Sequence, residues 1–291
     1  MIKSMTGYGT GLAENQSVKY TVEIKSLNSK FLELSLRLPK HVSDKELALR
    51  AESGKQIERG KVNITVIAEY ADQTAKSSVI NETLFNKYYT QLRELAEKVG
   101  DKNSNLLELA LQMPEVVGAK EEETDEEEVK ILFQAFYKAL EQFNQFRLDE
   151  GQVLSADLKQ RVEDIMAFQT EVEKVDGDRI PLIRERIAQY TEAAVGKENV
   201  DMNRFEQELI YYIDKLDITE EKVRLRSHCS YFLEALQSPN PSGKKLGFIS
   251  QEMGREINTL GSKANNANIQ QIVVRMKEEL EKIKEQLLNV L

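Results

Sequence analysis

The spacing of apolar residues changes once along this chain, and the change decides what kind of fold the chain can adopt. In three runs, 18–24, 32–38 and 62–66, apolar side chains alternate with polar ones, which is the period of β-strands. From Asn81 onward they recur at every third or fourth position, the period of amphipathic helices. The sequence therefore predicts an α+β fold: an N-terminal antiparallel sheet with a crossing helix over 43–58, followed by a mostly α-helical region.

Glycine and polar residues near the start of the chain indicate how the strands are arranged. Asn28 and Ser29 separate the first two runs and predict a hairpin between them. Gly7, Gly9 and Gly11 lack the lysine and the strand–helix setting of a phosphate-binding loop. We therefore expect these glycines to mark strand kinks or the close approach of another backbone.

The helical region is predicted to contain long helices that fold into projecting hairpins. A turn at EGQVLSADL and a bend at Gly177 and Pro181 separate three of these helices. Seven of the eight residues in 121–128 are acidic. Thr124 with Glu127 favours a helix capping box there over a cation site, since acidic residues stabilise a first helical turn.

The last predicted helix, 268–291, has apolar residues at alternating four- and three-residue steps. This 3.5-residue period is typical of a coiled-coil-like seam, which packs on another long helix of the same chain or of a second copy. Together the patterns predict an N-terminal α+β domain over 1–155, a helical arm or connector over 156–206, and a C-terminal helical domain over 207–291.

Composition limits the partner and the compartment. The net charge of −9 supplies no general positive field for a polyanion, which would need a local basic patch. Cys229 is the only cysteine and falls on an apolar helix face, so we expect a buried thiol in a reducing, cytoplasmic protein. The opening residues lack a signal-peptide pattern, and no stretch is apolar enough to cross a membrane, so no membrane association is expected.

The stretch KKLGFISQEMGREINTLGSKANNAN (244–268) is predicted to form a helix with two different faces. One is an apolar stripe at three- and four-residue steps, made by Leu246, Ile249, Met253, Ile257 and Leu260. On another side, Glu252 and Glu256 are one turn apart with Arg255 beside them. Gly261 is the predicted end of this helix, and either Ser262 or Asn266 is the predicted cap of the next one. The mixed polar side indicates a functional face, with a hydrogen-bonded packing seam as the alternative.

Five segments together resemble the YicC/YloC family of bacterial proteins: MIKSMTGYG, EIKSLNSKFLEL, EGQVLSADL, DITEEKVRLRSH and REINTLGSKANNANI. The resemblance implies a cytoplasmic endoribonuclease that acts on single-stranded or structured RNA and depends on a divalent metal. It also implies a homo-oligomer, a hexamer with a central opening, and other RNA-decay enzymes as candidate partners. The family pattern Asn-His-Arg is replaced here by Asn28-Ser29-Lys30, which counts against a catalytic imidazole from that strand.

Two routes to RNA cleavage fit the candidate residues. In the first, Glu252 and Glu256, joined by Asp217 or Asp214, hold a Mn²⁺ or Mg²⁺ ion that activates water, because hard cations prefer oxygen ligands. Taken alone, Asp217 is typical of a helix cap. In the second route the RNA 2′-hydroxyl attacks, and His228 is the acid–base group. The resemblance favours the first route, and a structural role for His228 is the alternative.

A local excess of basic residues is predicted to hold the RNA. Residues 222–263 contain seven Lys or Arg against three Asp or Glu, and arginine favours bidentate contact with phosphate. The candidate RNA-binding residues are Arg224, Arg226, Lys244, Lys245 and Lys263, while Arg255 belongs to the candidate catalytic group. Exposed bases that only solvate a helix are the alternative interpretation.

These observations predict a metal-dependent endoribonuclease with a role in bacterial RNA turnover. The competing class is a non-catalytic oligomeric adaptor that binds RNA and delivers it to another nuclease. A structural coiled-coil assembly protein is a third interpretation, and it rests only on the C-terminal heptads.

Overall fold

The computed structural model describes residues 2–71, 78–101, 105–119, 126–238 and 241–291. Within these ranges the chain forms six strands and eight α-helices. The strands are β1 (Gly7–Glu14), β2 (Val18–Leu27), β3 (Leu32–Arg37), β4 (Gly60–Tyr70), β5 (Ser78–Ile80) and β6 (Val117–Ala119). The helices are α1 (Glu46–Gln56), α2 (Glu82–Val99), α3 (Leu106–Leu111), α4 (Glu126–Val195), α5 (Met202–Leu216), α6 (Thr219–Gln237), α7 (Gly243–Ala264) and α8 (Ala267–Leu287). The α+β class is confirmed, and the capping box predicted at Thr124 lies outside the described residues.

Four strands form one sheet in the order β1–β2–β4–β3. β2 runs antiparallel to β1 and to β4, as predicted, whereas β3 runs parallel to β4. The antiparallel prediction is therefore wrong for β3. The hairpin at Asn28 and Ser29 is also wrong, because β4 lies between β2 and β3. The reason is that α1 connects β3 to β4, and a strand–helix–strand connection brings the second strand back to run parallel to the first.

Strand β1 lies directly against the first part of α4. An added Cβ would come within 2.2 Å of the Ala139 carbonyl oxygen at Gly9, and within 2.0 Å of the Ala135 carbonyl oxygen at Gly11. Glycine is therefore required where the strand meets the helix backbone, which confirms the predicted close approach. The core between the sheet and α4 includes Tyr20, Ile24, Ile64, Leu132, Phe136 and Phe143.

Helix α4 is one continuous helix of 70 residues, about 105 Å long at 1.5 Å per residue. The prediction of three separate helices is wrong. Gly151 does not form a turn; an added Cβ there would lie 2.1 Å from the Ile2 carbonyl oxygen, so this glycine admits the N-terminal segment. Pro181 lies inside the helix, with its side chain exposed. A helical hairpin does form between the end of α4 and α5, where Arg184 pairs with Glu206 at 2.5 Å.

A second core joins the middle of α4 to α6, α7 and α8. The heptad residues of α8 are all buried in it: Ile269, Val273, Met276, Leu280, Ile283, Leu287 and Val290. The coiled-coil-like seam therefore packs within the chain, on α4 and α7. Cys229 is buried here as predicted, and burial raises the pKa of its thiol to about 12. Among the described helices, none is long and apolar enough to cross a membrane.

The N-terminal segment ties the sheet to the helical core. The backbone amide of Met5 donates to the Asn289 carbonyl at 2.8 Å, and that of Ser4 to the Arg147 carbonyl at 3.0 Å. Ile2 is buried in the second core. The two predicted domain boundaries, after residues 155 and 206, fall inside α4 and α5, and the division into domains stays a prediction.

Candidate functional site

Helix α7 has the predicted apolar stripe, and all five of its residues are buried. The prediction that this helix ends at Gly261 is wrong, because the helix continues to Ala264. Gly261 instead admits α8, because an added Cβ would lie 2.9 Å from Cγ1 of Val273. Asn265 then takes the left-handed conformation (φ 42°), which ends α7. Asn266 caps α8, since its side-chain oxygen accepts from the backbone amides of residues 268 and 269. These asparagines are therefore explained by a helix–turn–helix connection.

Helices α6 and α7 pack antiparallel against each other, and the solvent-facing seam between them is called here the α6–α7 groove. At one end, the Lys245 ammonium lies 4.7 Å from the Tyr231 ring centroid. At the other end, Lys263 forms an ion pair with Glu221 at 2.8 Å. His228 lies between these two contacts on α6, and Glu252 and Glu256 lie between them on α7, each at a helical spacing that puts it on the same face as the contact residues. Three of the four candidate catalytic residues therefore fall on the helix faces that border the groove, and all three are half-buried.

The carboxylates in the groove differ in their surroundings. Glu252 is 19% exposed and pairs at 2.8 Å with Arg255, whose side chain is 74% exposed. Glu252 thus holds one nitrogen of the Arg255 guanidinium, Nη1, while most of the arginine side chain stays exposed to solvent. Within the described part of the chain, neither the Glu256 carboxylate nor the His228 imidazole forms a hydrogen bond or an ion pair. Both are chemically available to a ligand in the groove.

The candidate metal ligands are only partly brought together. Asp217 lies before α6, and its carboxylate accepts from the amide and the hydroxyl of Thr219 at 3.0 and 2.7 Å. These hydrogen bonds, with the nearby Lys222 and Lys263, lower the pKa of Asp217. Asp217 precedes Ile218, the N-cap residue of α6. Thr219, which it contacts, and His228 are nine residues apart on α6, about 13 Å along the axis, so Asp217 lies at a distance from the middle of the groove. Asp214 is exposed on α5.

Glu252 and Glu256 therefore stand as a pair, one turn apart. No group of three or more His, Cys, Asp or Glu side chains that could hold a metal occurs among the described residues. Two carboxylates fit Mg²⁺ or Mn²⁺ in the way that such ions bind with water and substrate phosphates, where one or two protein carboxylates suffice. They do not make a closed protein cage.

Most of the predicted basic patch is already paired with acids. The pairs are Arg224–Glu220, Arg226–Glu173, Lys263–Glu221, Lys222–Asp176 and Arg255–Glu252. Four of these acidic partners lie outside residues 222–263. They therefore offset the excess of basic residues that was counted within that stretch of the sequence. The hydrogen bond from Lys263 to Glu221 raises the pKa of that lysine. Within the described residues, Lys244 and Lys245 have no carboxylate partner.

A second polar cluster, not predicted from the sequence, joins the two central strands, β2 and β4, to the start of α4. The hydroxyl groups of Tyr20 and Tyr70 both donate to Oε1 of Glu128, at 2.6 and 2.7 Å. Nε2 of His41 lies 2.9 Å from the Tyr20 hydroxyl. The residues are spread over more than 100 positions, and the only available sign was that His41 is one of two histidines.

Comparison with known proteins assigns the chain to a family. Residues 2–156 match the family model described as "Endoribonuclease YicC-like, N-terminal region", and residues 172–291 match "Endoribonuclease YicC-like, C-terminal". The chain belongs to the YicC-like endoribonuclease family. It is 32% identical over 292 residues to a protein of Clostridioides difficile, and 32% identical over 293 residues to one of Haemophilus influenzae. Both are named "Probable endoribonuclease YicC", and each comparison covers both chains completely. These names support an RNA-cleaving function.

Proposed function

We propose that this protein is a metal-dependent endoribonuclease of bacterial RNA turnover that cleaves RNA in the groove between α6 and α7. The observation that carries the proposal is that α6, with His228, packs against α7, with Glu252 and Glu256, and that all three side chains are only half-buried. Glu256 and His228 have no partner in the described chain, so neither is consumed by a structural contact.

In this proposal Glu252 and Glu256 hold Mn²⁺ or Mg²⁺ through their carboxylate oxygens. The ion would supply positive charge to the phosphate and activate water. Arg255 is tethered by Glu252 and directs its guanidinium to a phosphate oxygen, where it offsets charge that develops in the transition state. His228, on the α6 side of the groove, donates a proton to the leaving oxygen.

Two alternatives use the same groove. In the first, the 2′-hydroxyl of RNA is the nucleophile, and His228 removes its proton. In the second, the protein binds RNA without cutting it and delivers it to another nuclease. A structural assembly role has lost its only support, because the heptads of α8 pack inside the chain.

The test is cleavage of a labelled RNA by purified protein with Mn²⁺, with Mg²⁺ and with EDTA. Glu252→Gln and Glu256→Gln should each lower the rate by about 100-fold or more, the scale for loss of one catalytic group, and should leave RNA binding intact. Glu278→Gln is the matched control, since Glu278 is exposed on α8, away from the groove. A substrate with a 2′-deoxy sugar at the cleaved step should still be cut.

The alternatives predict different results. If the deoxy substrate resists cleavage and His228→Ala alone abolishes activity, the 2′-hydroxyl route replaces the metal–water route. If every variant cleaves at the same trace rate as the wild type, the activity belongs to a contaminant and the adaptor is the better proposal.

We also propose a cytoplasmic homo-oligomer, a hexamer in the family pattern. Its support is the hairpin of distal α4 and α5, which carries many exposed apolar residues: Leu182, Tyr190, Met202, Ile210, Tyr211 and Tyr212. Apolar surface of this extent is typical of a contact between subunits.

A further inference from the structure

Two exposed aromatic side chains lie at one end of the α6–α7 groove. Phe248 on α7 is 63% exposed, and Tyr231 on α6 is 46% exposed. The Lys245 ammonium lies over the Tyr231 ring. Lys244 and Lys245 precede Phe248 by four and three residues, so their side chains are its neighbours on the helix surface. The four residues form a compact aromatic and basic patch, called here the groove mouth.

The groove mouth differs in charge from the rest of the predicted basic patch. The arginines further along the groove and Lys263 are paired with carboxylates. Lys244 and Lys245 have no carboxylate partner among the described residues, so their charge remains available to an external anion. An anionic ligand with planar, stackable groups would complement both features of the groove mouth.

We propose that the groove mouth binds single-stranded RNA, with an unpaired base stacked on Phe248 and the adjoining phosphates held by Lys244 and Lys245. Bases inside a duplex are already stacked on each other, so only an unpaired base can lie on an aromatic side chain. The inference rests on the proposed function, because it takes the α6–α7 groove as the RNA path.

The position of Phe248 suits a role in placing the substrate. Glu252 follows Phe248 by one helical turn, about 6 Å along the axis. A base held at Phe248 therefore brings the next phosphate towards Glu252 and Arg255. The outer face of α7 around Phe248 is otherwise polar, with exposed Gln251 and Asn258. A second protein copy packed there would bury these polar groups, whereas RNA pairs with them.

The experiment measures RNA binding in EDTA, so that no turnover is needed. The probes are a 12-nucleotide single-stranded RNA carrying 2-aminopurine, whose fluorescence reports stacking, and the same strand in a perfect duplex. Phe248→Ala should weaken single-strand binding by about 5- to 100-fold, the range for loss of one base–aromatic stack. Phe248→Tyr, which keeps the ring, should bind like the wild type. Val274→Ala, an equally exposed apolar residue on α8, is the control.

Salt dependence separates stacking from charge. Phe248→Ala should leave the slope of log affinity against log salt unchanged, whereas Lys244→Ala with Lys245→Ala should reduce its magnitude by about 1.4, the value for two phosphate contacts on a single strand. Three results would overturn the inference: wild-type affinity in Phe248→Ala, equal affinity of the wild type for the duplex, or a smaller particle in light scattering for Phe248→Ala, which would make the groove mouth a contact between copies.

Binding at the groove mouth and cleavage of RNA are measured separately, so failure of this inference can be told from failure of the proposed function. Stacking that depends on Phe248 in a protein that never cleaves RNA supports this inference and removes the endoribonuclease. Cleavage that depends on Glu252 and Glu256, together with RNA binding that is unchanged in Phe248→Ala, supports the proposed function and overturns this inference.

Discussion

Tyr20 shows how much one buried hydroxyl depends on residues far away in the sequence. It is fully buried, and its hydroxyl donates to Glu128 at 2.6 Å. Burial, followed by the hydrogen bond to Glu128, raises the pKa of Tyr20 above its usual value of about 10. The folded protein thus keeps the neutral phenol, while the unfolded chain releases the proton above about pH 10. Stability from this group is present below that pH and is lost as the pH rises.

Tyr20→Phe tests this linkage. At pH 8 the variant should be less stable by about 1–3 kcal/mol, because the carboxylate of Glu128 loses a buried donor. Between pH 8 and 11 the difference between the two free energies of unfolding should narrow by about 1.4 kcal/mol, since only the wild type has Tyr20 to ionise on unfolding. Urea unfolding at pH 8, 10 and 11 measures both values. Tyr190→Phe, at an exposed position, should differ from the wild type by less than about 0.5 kcal/mol at pH 8. A gap that stays constant with pH would contradict the linkage.

At the scale of elements, the contact of β1 with α4 decides how the sheet is covered. Gly7, Gly9 and Gly11 leave three of the four inner positions of β1 without a Cβ, so the helix backbone comes within van der Waals range of the strand. The sequence predicted the close approach but not its partner. Ala135 and Ala139 lie more than 120 residues away, and nothing in the local pattern of either segment names the other.

Gly9→Ala and Gly54→Ala form a matched pair for this contact. The first places a methyl group against the helix backbone, which cannot give way like a flexible side chain, and should destabilise the protein by about 1–3 kcal/mol. Gly54 lies in α1 with nothing within 4 Å of an added Cβ. Its replacement should be neutral or stabilise by up to about 1 kcal/mol, because alanine favours helix. Urea unfolding measures the free energy of unfolding of both variants. Equal values for Gly9→Ala and Gly54→Ala would contradict the contact between β1 and α4.

The elements also show where sequence periodicity stops being informative. Strand and helix types followed from the spacing of apolar residues, and so did the buried faces of α7 and α8. Periodicity could not reveal that β3 pairs in parallel, because alternation is the same in either direction. It also could not reveal that Gly151 and Pro181 lie inside one helix. Each is a common helix breaker, and tertiary contacts decide whether the helix continues.

At the scale of the molecule, α4 belongs to both cores, and its far end with α5 extends beyond them. The sequence predicted that residues 228, 252 and 256 lie on neighbouring helices, and their role as a site stays a prediction. The sequence could not show that basic residues of the predicted patch are paired, because the acidic partners Glu173 and Asp176 come from α4. Charge counted along a sequence window omits every neighbour that the fold brings in.

The proposed oligomer makes a prediction at this scale. Ile210 is 65% exposed on α5, and Ile210→Lys would place a charge in the proposed apolar contact. Light scattering should show a smaller particle than the wild type, with the helical content unchanged in circular dichroism. Val223→Lys, at an equally exposed position on α6, should leave the particle size unchanged. An unchanged mass for Ile210→Lys would exclude α5 from the interface.

The segment 2–5 has a consequence for how the protein is made. Its backbone groups pair with Arg147 of α4 and with residues 289–291, and the latter are synthesised long after the segment itself. The sheet can pack on the first part of α4 as soon as that part of the helix has been made. The backbone link between the sheet and the helical core cannot form until residues 289–291 have left the ribosome, so a nascent chain holds its two cores apart for most of translation.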